Sequence, residues 1–131
     1  MAGYSKTPLP QKLGIKGGMT IGLIDAPKGF VGTLGELPDD VTFSTAARKP
    51  DLTLWFVRNR QEHRKKLAKI VKLSEHGHVW TIWPKLTSAF ASDISETYVR
   101  NEGLAAGLVD YKVCAVDDTW SGLKFARRKD R

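Results

Sequence analysis

Three short stretches of this chain are apolar with almost no alternation: 21–24 (Ile-Gly-Leu-Ile), 52–57 (Leu-Thr-Leu-Trp-Phe-Val) and 79–83 (Val-Trp-Thr-Ile-Trp). A strand with one face in water alternates polar and apolar side chains. A strand that is apolar throughout needs cover on both faces. Such strands belong in a sheet held between two other layers. The intervening segments agree. The spacing predicts a helix over 60–74, with His63, Leu67, Ile70 and Val71 on one stripe. A second helix is predicted over 94–106, with Asp93 and Glu96 placed as a capping box and Gly107 closing it. Residues 109–116 and 123–127 read as two strands joined by a turn at 117–122. Upstream, strands are expected over 19–25 and 41–45, separated by a stretch whose Gly32 and Gly35 rule out a long helix.

The order strand, turn, strand, strand, helix, strand, helix, hairpin predicts a three-layer α/β fold. Its sheet is mostly parallel, has about six strands and ends in an antiparallel hairpin. The pattern resembles the Rossmann-like methyltransferase architecture with one strand–helix unit lost, which predicts the sheet order 2-1-3-4-6-5. A chain of 131 residues suits one domain, 1–131. Residues 1–18 form an N-terminal extension, with a helical turn ended by Gly14, and Leu9, Leu13 and Ile15 pack it on the body. Residues 128–131 form a basic tail.

Open α/β sheets bind ligands outside the C-terminal ends of their strands, at the point where strand order reverses. Asp25, Pro27, Lys28 and Gly29 follow the first strand there. Arg58 and Arg60 follow the third, and Trp83 and Lys85 stand at the end of the fourth. This edge gathers cations beside an aromatic ring and can hold a phosphate, a carboxylate or a nucleotide. The same residues read equally well as solvated strand ends. A dinucleotide fingerprint needs three glycines for the pyrophosphate and an acid after the second strand for the ribose. Here only Gly29 lies in the tight turn, the second strand ends at Ser44 and Thr45, and Pro27 removes a backbone N–H. Methyltransferase-like proteins use a looser glycine-bearing loop with an acid after strand 2, and that pair is missing too. No cofactor is therefore expected.

The net charge is +7, and two segments carry the excess. Residues 58–72 hold seven basic residues and one acid, and 124–131 hold five and one. Arg64, Lys65, Lys66, Lys69 and Lys72 fill the first helix outside its apolar stripe. Such a patch suits an anionic small molecule, protein or nucleic acid, or is simply a solvated helix face.

Catalytic chemistry finds no foothold. No Gly-x-Ser-x-Gly elbow is present. His76 and His78 are close in sequence, but a metal needs three or four ligands, so no metal is expected. Cys114 reads as a buried strand thiol. Trp55, Trp80 and Trp83 lie in core strands, whereas Trp120 sits in the hairpin turn, either open to a partner or folded back over the sheet edge. Asp117 can cap that turn. A lone cysteine, no signal-peptide core at the N-terminus and no apolar run near a bilayer's span together lead to the expectation of a cytoplasmic protein without a membrane partner.

Several segments together resemble a bacterial family, domain of unknown function 3052. They are Gly3-Tyr4-Ser5, Pro8-Leu9, Lys12-Leu13-Gly14-Ile15, 23–30, Phe56-Val57-Arg58, Trp83-Pro84-Lys85, Asp93-Ile94, 107–114 and Trp120-Ser121-Gly122-Leu123. The resemblance spans nearly the whole chain and implies a complete cytoplasmic protein. It carries no activity, ligand or catalytic residue with it. The residues thus lead to a non-enzymatic binding protein on a degenerate Rossmann-like scaffold, with an anion-binding edge. The alternative is an S-adenosylmethionine- or nucleotide-binding enzyme of methyltransferase-like type.

Overall fold

The computed structural model describes residues 7–129. The first six residues of the expected extension and the last two of the basic tail lie outside them. The elements are α1 (Leu9–Leu13), β1 (Thr20–Ile24), a 3₁₀ turn (Val31–Leu34), β2 (Thr42–Ser44), β3 (Leu52–Phe56), α2 (Arg60–Leu73), β4 (His78–Pro84), α3 (Glu96–Ala105), β5 (Leu108–Ala115) and β6 (Trp120–Arg127). They form one sheet in the order β2-β1-β3-β4-β6-β5, as the methyltransferase-like resemblance implies. β1 to β4 are parallel, and β6 runs antiparallel to both β4 and β5.

The unalternating strands are covered on both faces. Every residue of β3 is buried. On one face Leu13, Ile21, Leu54, Phe56, Trp80 and Ile82 pack under α1 and the 3₁₀ turn. On the other, Ile24, Trp55, Val57, Ile70, Leu73 and Val99 pack under α2 and α3. Trp80 Nε1 donates to the Leu13 carbonyl at 2.8 Å and ties α1 to the sheet. Among the described residues no helix is long and apolar enough to cross a membrane.

α2 starts where Asn59 Oδ1 accepts the Glu62 N–H at 2.8 Å, while Glu62 Oε1 accepts the Arg58 N–H at 2.9 Å. Replacing Asn59 with Ala leaves that N–H unpaired and is expected to cost about 1 kcal/mol in urea unfolding. An unchanged midpoint would show that the cap contributes nothing.

α3 begins later than the sequence predicts. Ser95, not Asp93, is its cap and accepts the Tyr98 N–H. Asp93 instead accepts the first N–H of α2, from Arg60, at 3.0 Å. The hairpin turn is shorter than expected, because Asp117 Oδ1 accepts the N–H groups of Thr119 and Trp120 at 2.8 Å each and lets β6 start at Trp120. Between β2 and β3 the chain passes through a loop with no helix. That loop borders a groove beside α2, which Gly22 and Ile24 of β1 also line.

Candidate functional site

The chain turns sharply at the end of β1. Asp25 has φ 58, in the left-handed region that side chains with a Cβ adopt at a cost. Two neighbours hold it there. Arg58 Nη1, from the end of β3, donates to the Asp25 carbonyl at 2.7 Å. Lys66 Nζ, from α2, reaches the Asp25 carboxylate at 2.7 Å. This ion pair is about 40 % exposed on each side (37% and 41%). Pairs that open to water contribute little, so a ligand can take either partner at small cost.

Two hollows flank this turn. One, of about 450 Å³, is lined by Asp25, Pro27, Gly29, Thr45, Lys66 and Lys69 among others. The other, of about 400 Å³, lies between the ends of β1 and β3 and is lined by Asp25, Ala26, Arg58, Glu62, Lys65 and Lys66. The strand order reverses there, with β2 on one side of β1 and β3 on the other. Gly29 has φ 81, and no atom lies within 4 Å of where a Cβ would stand, so the loop offers bare backbone. A third groove, of about 620 Å³, continues from the first, sharing Ile24, Thr45 and Lys69, and runs on past Arg48 and Lys72.

The residues expected at this edge divide into two groups. Asp25, Pro27, Gly29 and Arg58 gather around the turn, joined by Lys66 and Lys69 of the basic helix. Lys28 is exposed and lines neither hollow. Arg60 turns away toward α3. Its Nε donates to the Asp93 carbonyl at 2.6 Å, and its guanidinium lies 4.4 Å from the Tyr98 ring centroid. Trp83 is 3% exposed and sits in the core beneath the helices. Strand alternation sends its ring to that face. Lys85 is held by its backbone, whose N–H donates to the Thr119 carbonyl at 2.8 Å, and lines neither hollow. The aromatic ring beside the cations is Trp120, not Trp83. It folds back onto Phe56 at 5.3 Å, and the Arg58 guanidinium lies 5.6 Å from its ring. Thr45 is the lining residue that sequence reasoning missed; it registers there only as the absence of a carboxylate.

The other titratable groups lie elsewhere. His63 is buried, stacks on Trp55 at 4.9 Å and meets the Tyr98 ring at 5.3 Å. Burial, aided by the Arg64 charge, pushes its pKa down to about 4, so it is neutral at pH 7. Cys114 is buried in β5, and burial raises its thiol pKa. Among the described residues no three His, Cys, Asp or Glu side chains stand close enough to hold a metal.

No family model matches the chain, and no curated protein matches it. Solved structures do. The DhpI complex with SAH overlays with a TM-score of 0.60 at 12% identity, covering 94% of this chain and 83% of that one. A SAM-dependent methyltransferase from Aquifex aeolicus gives 0.57 at 15% identity, covering 88% and 85%. The fold is that of the Rossmann-like methyltransferases. Magnesium protoporphyrin IX methyltransferase (ChlM) from Synechocystis PCC 6803, with bound SAM, gives 0.54 at 13% identity, covering 91% and 74%. At these identities the likeness is one of fold.

Proposed function

We propose that this methyltransferase-like chain binds a nucleotide-type small molecule, S-adenosylmethionine or a nucleotide, over the C-terminal ends of β1 and β2. One observation carries the reading. The hollow of about 450 Å³ opens where this fold class receives ligands, and it is of ligand size. Its chemistry fits such a molecule part by part. Lys66 and Lys69 present cations to a carboxylate or phosphate. Asp25 and Thr45 present a carboxylate and a hydroxyl to ribose or amino groups. The exposed backbone at Gly29 permits close approach. S-adenosylmethionine, when bound, supplies an activated methyl group. The fold-level likeness supports this reading over the non-enzymatic one that the missing glycine-rich loop favours.

A thermal-shift series with S-adenosylmethionine, S-adenosylhomocysteine, AMP, ADP and ATP tests it. A ligand at about 100 times its Kd adds about 2.7 kcal/mol of stability. For a domain of this size the midpoint then rises by several degrees. Lys66→Ala and Lys69→Ala together should abolish the rise. No rise with any of the five would sink the reading.

A further inference from the structure

Four cations of α2 take no part in holding the fold. The side chains of Arg64, Lys65, Lys69 and Lys72 make no ion pair or hydrogen bond with another described residue, and neither does that of Arg48. Arg58, Arg60 and Lys66 are all engaged, by Glu62, Asp93 and Asp25. Three of these five free cations share one groove, while Lys65 lines the hollow between β1 and β3. Lys69 and Lys72 stand on one bank of the groove of about 620 Å³, and Arg48, from the loop between β2 and β3, lines it with them. Small residues line it too: Gly22, Ala46, Ala47 and Ala68. The groove exists because no helix joins β2 to β3.

Like charges three and four residues apart on a helix repel. Lys65, Lys69 and Lys72 stand at that spacing with no acid between them to offset it. An anion lying along the row removes the repulsion. A lone phosphate needs donors that converge on a point. Lys65, Lys69 and Lys72 instead follow one another over about 10 Å along the helix axis, Lys69 and Lys72 on the groove and Lys65 at the hollow between β1 and β3. That arrangement suits an anion with its charges in series.

We propose that this groove binds single-stranded nucleic acid through its phosphates, independently of base sequence. The groove's large apolar lining residues, Ile24 and Leu73, are both buried, so it exposes no broad apolar face to a protein partner. A concave site with cations along it admits one flexible strand. A duplex carries its phosphates on a rigid convex surface and cannot follow the groove. Arg48 and Lys72 line only this groove and not the hollow at Asp25, so strand binding is separable from the small-ligand site.

Fluorescence anisotropy with a short labelled oligouridylate tests the inference. Three phosphate contacts give a log–log salt slope of about −2, so going from about 50 mM to about 200 mM salt weakens binding about 16-fold. Arg48→Glu and Lys72→Glu should each weaken binding several-fold and flatten the slope. Lys129→Glu, an exposed cation at the far end of the sequence, should change neither. All three side chains are exposed, so the variants fold, which circular dichroism checks. Four results would each overturn the inference: no binding at low salt, an equal loss in Lys129→Glu, tighter binding of a duplex of equal length, or equal binding of polyglutamate, which would point to an acidic protein instead.

Discussion

Alanine at Gly77 is expected to destabilise the protein by about 3 kcal/mol or more, beyond the usual effect of one added methyl group. Gly77 joins α2 to β4. A Cβ there would stand 2.5 Å from the Asp51 carbonyl carbon and 3.0 Å from the Pro50 carbonyl oxygen, and would overlap the Asp51 oxygen outright. These are backbone atoms, and they are pinned. The Asp51 N–H donates to the Thr20 carbonyl at 2.8 Å, and its carboxylate accepts the Thr20 N–H at 2.8 Å. The next residues, Leu52 and His78, are already in register in the β3–β4 ladder. Neither strand can retreat without losing that pairing. Gly103 gives a contrast. A Cβ there meets the Phe125 ring at 2.5 Å, and a ring can tilt where a paired backbone cannot. Urea unfolding should therefore rank Gly77→Ala below Gly103→Ala, and both below the unaltered protein. A Gly77→Ala variant of native stability would contradict the close approach.

Acid should weaken the fold through His63 by about 2 kcal/mol at pH 5. Its pKa is about 4 in the folded protein against 6.5 when exposed. Between those values the unfolded chain takes up a proton that the folded chain refuses. Stability therefore falls as pH drops below 6.5, and the loss levels off below pH 4 at about 3 kcal/mol. The cause is geometric. The imidazole is 1% exposed between Trp55 and Tyr98, and its Nδ1 has no hydrogen-bond partner. A charge there would be both desolvated and unpaired. His63→Phe keeps the aromatic contact and removes the titration. Unfolding at pH 7 and pH 5 should show the loss in the unaltered protein and much less of it in His63→Phe. Equal losses in both would place the acid sensitivity elsewhere.

His63 and Gly77 show how far the residues alone reach. The helical spacing puts His63 on the apolar stripe of α2, and there it lies. Its ring partners come from β3 and α3, which no local pattern names. Gly77 reads as the end of a helical unit, yet its φ is not positive; what requires it is the approach of the Pro50–Asp51 backbone, just before β3. The strand pattern and the closing hairpin carry the layered, mostly parallel sheet, whereas its order follows only from the resemblance to the methyltransferase architecture. The hollows at the strand ends are legible in the sequence only beside β1. Asp25, Pro27 and Gly29 are local to the turn, and Arg58 follows the next strand in the sheet. Trp83 falls in the core because one step of strand alternation decides which face a side chain takes, and Lys85 lies beyond the end of β4 and lines neither hollow. Asp93 read as a cap for its own helix and proved to serve its neighbour's.

Amide-resolved NMR during titration with ADP and with S-adenosylhomocysteine tests the proposed ligand site most directly. Shifts confined to residues 25–30, Thr45 and the stretch 65–69 of α2, saturating with one of the two ligands, are the expected result. No saturable shift with either ligand, or shifts clustered at the opposite end of the strands near His78 and Tyr111, would contradict a ligand site at the end of β1.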